Sequence, residues 1–215
     1  MDSEALRAHK KTLRTELRAR RAQRYGGEQG ARRRELEAVR LLEHGRPLLG
    51  EIFGRAAADG SGDGPVVAAY HPTGTEADPR MLVRELVDRG ARMIFPAAAG
   101  PELDWILWDG RSEFIESPGR GFGREPRGSR LGTAAIAQAA LVLAPAVAID
   151  RSGTRIGHGA GYYDRALTLL PPAAKVVGVI HPEELLAAGA LPRGPLDVPV
   201  SRVLTADGLV TLEVS

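Results

Sequence analysis

With 215 residues, 43% apolar and 26% charged, the chain has the size and balance of one globular domain able to bury a sizeable core. It contains no cysteine, which excludes disulfides, thiol catalysis and thiolate metal sites and suits a reducing compartment. The net charge of +2 hides a gradient: residues 1–40 carry twelve Lys or Arg against six Asp or Glu, and the remainder seventeen against twenty-one. A basic arm on a mildly acidic body suits a nucleic acid or a small polyanion. Residues 1–20 are charged throughout, and the longest uncharged run, 131–149, is broken by Gly132, Gln138 and Pro145. Neither reads as a secretory signal or a membrane span, so the expectation is a cytoplasmic protein with no membrane partner.

In chain order, Asp2 or Ser3 opens a helix that runs to about residue 25 and stops at Gly26-Gly27. At 100° per residue, Leu6, Leu13 and Leu17 form a narrow apolar stripe. Lys10, Arg14 and Arg21 border the stripe and Lys11 points away, so Lys10 is the lysine expected to reach inward. A second helical segment covers 28–55, with a break expected near Gly45–Pro47. The segment 59–65 reads as a surface connection with no lysine to make it a phosphate loop. Beyond it the expected elements alternate: strand 66–70, helix 78–90, strands 92–96 and 103–108, helix 133–140, strand 141–144 within an apolar run to 149, helix 162–170, and strands 176–180, 202–205 and 209–212. Short β-branched runs separated by helices predict an α/β fold with a largely parallel open sheet, helices on both faces, and a single domain over 1–215 that includes the basic part, 1–55.

In such sheets ligands sit beyond the carboxyl ends of strands. There lies the stretch RIGHGAGYYDR, residues 155–165. Glycines let main-chain N–H groups approach a phosphate, and Arg155 adds a planar, permanent cation. Asp164 could hold a divalent cation or merely favour a helix N-terminus. The pattern is neither a Walker A loop nor a dinucleotide fingerprint. In HPTGTE, 71–76, Glu76 is a candidate partner for an amine or amide, or a solvated loop acid. Trp105 and Trp108 could stack on a flat heterocycle, although core burial is the commoner use. Asp197, alone among apolar residues, is a turn acid or a second metal acid.

Together these residues resemble the 5-formyltetrahydrofolate cyclo-ligase, or methenyltetrahydrofolate synthetase, family. APAVAID (144–150) followed by RIGHGAGYYDR is similar to that family's P-x-x-A-F-D segment and R-L-G-x-G-G-G-Y-Y-D-R loop. Lys10, Leu13 and Arg14 are similar to its K-x-x-L-R signature, and Tyr70-His71-Pro72 with Glu76, residues 121–126 and residues 192–205 follow in order. Ile149 stands where an aromatic is usual, Ala160 replaces the middle glycine, His158 stands where arginine or tyrosine is more usual, and the G-I-x-E-P pattern at 121–126 is one residue out of step. The resemblance implies an α/β fold like that of sugar-phosphate isomerases and CoA transferases, and a monomer acting on 5-formyltetrahydrofolate with no nucleic acid. It implies an ATP- and Mg²⁺-dependent reaction in which the formyl oxygen is activated as an imidate phosphate, N10 attacks the formyl carbon, and phosphate leaves to give 5,10-methenyltetrahydrofolate. Carried over by position, Lys10, Arg14, Arg155 and residues Gly157, His158, Gly159, Ala160, Gly161, Tyr162 and Tyr163 would hold ATP. Asp164 and Asp197 would hold Mg²⁺. Glu76 would orient the pterin, with His71 and Tyr162 as further substrate contacts. Two other readings stay open on the same residues: a phosphate-ligand or RNA-binding module without catalysis, and a sugar-phosphate isomerase.

Overall fold

The computed structural model describes residues 3–58, 64–118 and 123–214. Asp2 of the two expected cap residues, most of the 59–65 connection and the start of the 121–126 motif lie outside them, while Ser3 is the first residue of the helix. Two long helices come first, α1 (Ser3–Tyr25) and α2 (Gly27–Ala58). Then follow β1 (Val66–Ala68), α3 (Arg80–Asp88), β2 (Arg92–Ala99), β3 (Glu102–Trp108) and a hairpin of β4 (Phe114–Glu116) and β5 (Arg124–Pro126). A 3-10 turn (Thr133–Gln138) leads into β6 (Ala139–Pro145), β7 (Ala148–Asp150) and β8 (Arg155–Ile156). The chain ends with α4 (Tyr162–Leu167), β9 (Lys175–Val179), a 3-10 turn (Pro182–Glu184), β10 (Leu185–Leu186), β11 (Arg202–Thr205) and β12 (Gly208–Thr211).

Seven strands form the main sheet in the order β12-β11-β9-β6-β1-β2-β3. The five inner strands are parallel, and the edges β12 and β3 pair antiparallel. Side-chain alternation sorts the two faces. Val67, Met93, Phe95, Leu141 and Leu143 point to one face, where Leu41, Leu48, Leu49 and Ile52 of α2 and Leu82, Val83 and Leu86 of α3 cover them. Ala68, Ile94, Val142 and Ala144 point to the other, under Ile136 of the 3-10 turn and Ala166 and Leu167 of α4. The expected open, largely parallel sheet with helices on both faces is the fold observed.

Four local expectations are corrected. α2 runs unbroken through Pro47. The lost backbone bond costs about 3 kcal/mol, but the apolar face on either side of it is buried on the sheet, which holds the helix together. Gly45 is there for close approach, since a Cβ on it would stand 2.8 Å from Leu82 of α3. The segment expected as helix 133–140 is a six-residue 3-10 turn, and α4 stops at Leu167 rather than running to 170. Finally, the apolar run 139–149 is two strands in two sheets: β6 belongs to the main sheet, and β7 joins β10 and β8 in a small one.

The small sheet is what α1 packs on. Leu13 and Leu17 meet Val147, Ala148, Ile156 and Leu191. Beyond them Arg21, 5% exposed, donates to both carboxylate oxygens of Glu184 (2.5 and 2.7 Å) and to the carbonyl of Ala146 (2.7 Å). Tyr25 stacks on His181 with ring centroids 3.4 Å apart. His181 in turn meets Glu37 of α2 through Nδ1 (2.6 Å) and the carbonyl of Thr75 through Nε2 (3.0 Å). Removing one member of a buried pair leaves an uncompensated charge. Glu184→Ala should therefore lower the urea-unfolding free energy by about 3–5 kcal/mol, whereas Glu28→Ala, which breaks the exposed i,i+4 pair with Arg32, should change it by less than about 0.5 kcal/mol.

Candidate active site

Strand order reverses between β6 and β1: from β1 the chain moves to β2 on one side, while β6 lies on the other. Loops leaving these two neighbours diverge and open a crevice. A cavity of about 640 Å³ fills it, within the size range of small-molecule sites. Its walls come from His71 and Glu76 after β1, residues 155–164 after β6 and β7, one face of α1, Arg124 of β5 and Asp197 ahead of β11. Every residue expected at the site lines this cavity: Lys10, Arg14, His71, Glu76, Arg155, Gly157, His158, Gly159, Ala160, Gly161, Tyr162, Tyr163, Asp164 and Asp197. Trp105 does not: it is wholly buried in the core. Trp108 lines a different cavity.

The loop's glycines are explained by arginines. A Cβ on Gly157 would lie 2.9 Å from the Arg155 guanidinium, one on Gly159 3.2 Å from that of Arg14, and one on Gly161 2.8 Å from that of Arg165. Gly159 and Gly161 also hold φ of 109° and 68°, which other residues avoid. Ala160 sits between them and, like every other described non-glycine residue, keeps a negative φ, so the alanine fits without strain. Arg14 donates through Nε to the carbonyl of Gly157 (2.8 Å), and Arg18 donates to that of His158 (3.3 Å). Burial and the charge of Arg18 push the Arg14 pKa below its ordinary value. Two cations are thus crowded on one loop, and among the described residues neither is ion-paired with a carboxylate.

Each of the three acids of the cavity meets a basic side chain of the cavity. Asp197 pairs with Lys10 and accepts from the Gly194 N–H (2.6 Å). Asp164 pairs with Arg155 (2.6 Å). Glu76, 4% exposed, meets His158 Nε2 (3.1 Å) and accepts from the Thr73 N–H (2.7 Å). Burial works against ionisation of Glu76, but the hydrogen bond and charge of His158, the Thr73 N–H and the charge of Arg21 outweigh it and hold the carboxyl below the usual glutamate value. Burial raises the Tyr163 pKa, so that phenol stays neutral. Its hydroxyl and Arg155 Nε are buried and have no protein partner, which leaves both for a ligand. The Tyr162 hydroxyl is turned away, donating to the Gly100 carbonyl (2.9 Å), so its ring is what faces the cavity.

Residues 6–206 match the sequence pattern of the 5-formyltetrahydrofolate cyclo-ligase family. The chain belongs to that family. A 5-formyltetrahydrofolate cyclo-ligase of Mycolicibacterium smegmatis is 39% identical over 154 residues, 69% of this chain and 78% of the relative. The mitochondrial 5-formyltetrahydrofolate cyclo-ligase of Arabidopsis thaliana is 34% identical over 80 residues, 34% of this chain and 29% of the relative. In fold, the chain is similar to the 5,10-methenyltetrahydrofolate synthetase of Aquifex aeolicus (TM-score 0.65, 24% identity, 94% of each chain) and to that of Mycoplasma pneumoniae (TM-score 0.62, 16% identity, 92% of this chain and 98% of that one).

This family member also lines its cavity with residues that the sequence reading passed over: Arg7, Arg18, Thr73 and Arg124. Arg18 was within reach, since it lies four residues beyond Arg14 on one helix face. Lys11, expected to point away, lies on the cavity's rim and is exposed, while Lys10 reaches Asp197. Arg21, which also borders the stripe, anchors the helix instead.

Because the folded-state pKa of Glu76 is depressed, its stabilising contribution is complete above the ordinary glutamate value of about 4.3. It fades as pH falls through the lower folded value. Glu76→Gln should flatten the loss of urea-unfolding stability between about pH 5 and pH 3. His158→Ala, which removes the main group holding the Glu76 carboxyl down, should make the loss smaller.

Proposed function

We propose that the chain closes the ring of 5-formyltetrahydrofolate to 5,10-methenyltetrahydrofolate, using ATP with Mg²⁺ and releasing ADP and phosphate. The observation that carries this reading is the meeting, in one cavity, of a buried ionised carboxylate with a glycine loop ringed by uncompensated guanidinium groups. A formyl amide oxygen is a poor leaving group, and ATP with its metal supplies the phosphoryl group that lets it depart as phosphate. The protein's part is positioning and charge stabilisation.

Arg14 and Arg18 give the polyphosphate its charge partners, and Lys10 and Arg155 join them by exchanging a carboxylate for a phosphate oxygen. The main chain from Gly157 to Tyr163 lies alongside with little side-chain bulk. Asp164 and Asp197, so released, would be the residues that hold the metal. The described residues contain no group of three His, Cys, Asp or Glu that could hold a metal. Two carboxylates completed by phosphate oxygens and waters fit Mg²⁺, which keeps several waters and is bound with substrate phosphates. Glu76 accepts the pterin's N–H donors once His158 moves aside, and its fixed position brings the formyl group and N10 into line with the loop. His71 and the face of Tyr162 complete the substrate wall. A sequence without cysteine suits a reducing compartment such as the cytoplasm.

Incubated with Mg-ATP and 5-formyltetrahydrofolate, the purified protein should generate the near-ultraviolet absorbance of the methenyl product. No absorbance change with intact substrate would sink the reading. Asp164→Ala should lower kcat by about 10²–10³-fold with an unchanged circular dichroism spectrum. Lys10→Ala should raise the KM for ATP about tenfold, and Lys11→Ala by much less.

A further inference from the structure

The turn that carries Glu76 has little to hold it from within. Thr73 and Gly74 are exposed. The turn's own bonds, from the Thr73 N–H to the Glu76 carboxylate (2.7 Å) and from the Glu76 N–H to the Thr73 carbonyl (3.1 Å), tie it only to itself. His158, the other partner of the carboxylate, stands on the glycine loop with 44% of its side chain exposed. The fixed points are the carbonyls on either side of the acid. That of Ala77 accepts from the buried hydroxyl of Tyr70 (2.7 Å), and that of Thr75 accepts from Nε2 of His181 (3.0 Å).

Tyr70 lines the main cavity, whereas His181 does not: it is 1% exposed and reaches the acid through the Thr75 peptide. Its ring is itself held. Tyr25 stacks on its face (3.4 Å), and Glu37 of α2 meets Nδ1 (2.6 Å). A carboxylate oxygen and a carbonyl oxygen can only accept, so the ring donates from both nitrogens. A ring turned over would set a carbon against each oxygen, so the two partners select one orientation. The main chain of the same residue has a separate task. Its N–H donates to Glu184 (3.0 Å), the carboxylate that grips Arg21 and so anchors α1.

We infer that His181 is a positioning residue for ring closure: its Nε2–H holds the Thr75 carbonyl and thereby sets where the Glu76 carboxylate meets the folate. This rests on the reading that the pterin sits at Glu76. The peptide unit is planar, so fixing the Thr75 carbonyl also fixes the direction of the Glu76 N–H and the place of the Glu76 Cα. Without that bond the exposed turn is free to tilt, and a shift of about 1 Å is enough to take a carboxylate out of line with its partner. The effect falls on one substrate. The charge partners of the polyphosphate lie on α1 and the glycine loop, and α1 is anchored through the main-chain bond to Glu184, not through the His181 ring. Tyr25, which the ring does touch, is four residues past Arg21 at the end of the helix.

The test compares two replacements that carry the same amide at different reach. In His181→Gln the side-chain amide extends about as far as Nε2 and can donate to Thr75, whereas in His181→Asn it extends only about as far as Nδ1, beside Glu37. Both lose the stack on Tyr25, so the cost of that loss is common to the two. His181→Asn is expected to raise the KM for 5-formyltetrahydrofolate about tenfold and to leave the KM for ATP within about twofold of wild type. His181→Gln should keep both constants within about threefold of wild type. Glu37→Ala leaves the ring in place and removes the oxygen that orients it, so it should raise the folate KM about threefold, and it reads the contact even where a replaced ring prevents folding. Equal folate KM values in the two His181 variants, an ATP KM that rises as much as the folate KM, or an unchanged folate KM in Glu37→Ala would overturn the positioning role while leaving ring closure standing. A wild-type protein that turns over no 5-formyltetrahydrofolate would overturn the ring-closure reading and this role with it.

Discussion

The site depends on holding a basic helix against a loop that is itself basic. Lys10, Arg14 and Arg18 of α1 face Arg155 and the glycine loop, and like charges so placed repel. The opposing attraction lies off the site. Leu13 and Leu17 bury against the small sheet, Arg21 is sealed onto Glu184, and Tyr25 stacks on His181. A buried ion pair is a poor source of net stability, but it is demanding about geometry. The Arg21–Glu184 pair, with Ala146 and Val147 carbonyls on the same guanidinium, accordingly fixes the rotation and height of α1. The register of the cationic face above the loop follows from it.

The same anchoring reaches the opposite wall. Glu184 also accepts from the His181 N–H, and the His181 ring links Glu37 of α2 to the carbonyl of Thr75. Thr75 precedes Glu76, so the short turn at 182–184 positions the cationic helix on one side and the buried carboxylate on the other. The third wall is set independently by Asp150. Wholly buried, it accepts from Ser152, Thr154 and Leu191 N–H groups, locking the turn that delivers β8 and Arg155. Gly153 completes that turn, because a Cβ there would stand 2.6 Å from the Val200 carbonyl.

What the sequence made legible follows from what patterns encode. The apolar stripe of α1 and its bordering cations are local in sequence, so the helical wheel placed Lys10 and Arg14 on the inner side. The alternating strands of the main sheet were equally plain. The division of residues 139–149 between two sheets was not, because both strands are buried on both faces and no polar residue marks the switch at 146–147. Pro47 misled for the opposite reason: a strong local signal was overruled by burial of the helix face around it. The cavity that Trp108 lines was invisible, since Arg84, Trp108 and Arg111 come from a helix, a strand end and a turn that only the β2–β3 pairing brings beside His71. Trp108 was noted as an aromatic, but nothing local distinguishes it from Trp105, which is core.

If the main cavity takes a metal with a nucleotide as proposed, the ion pairs of Asp164 and Asp197 govern how that metal could enter. Asp164 and Asp197 are compensated by Arg155 and Lys10, so a lone divalent cation would have to displace a guanidinium or an ammonium and gain only one carboxylate for each. A polyphosphate would change the balance. It would satisfy Arg155 and Lys10 along with the crowded Arg14 and Arg18, and leave Asp164 and Asp197 open to the metal that accompanies it. On the proposed function, metal and nucleotide binding would therefore be coupled through the ion pairs, each strengthening the other. Arg155, the guanidinium that would change partners, lies 2.9 Å from the position of a Cβ on Gly157, so the glycine leaves it room to turn.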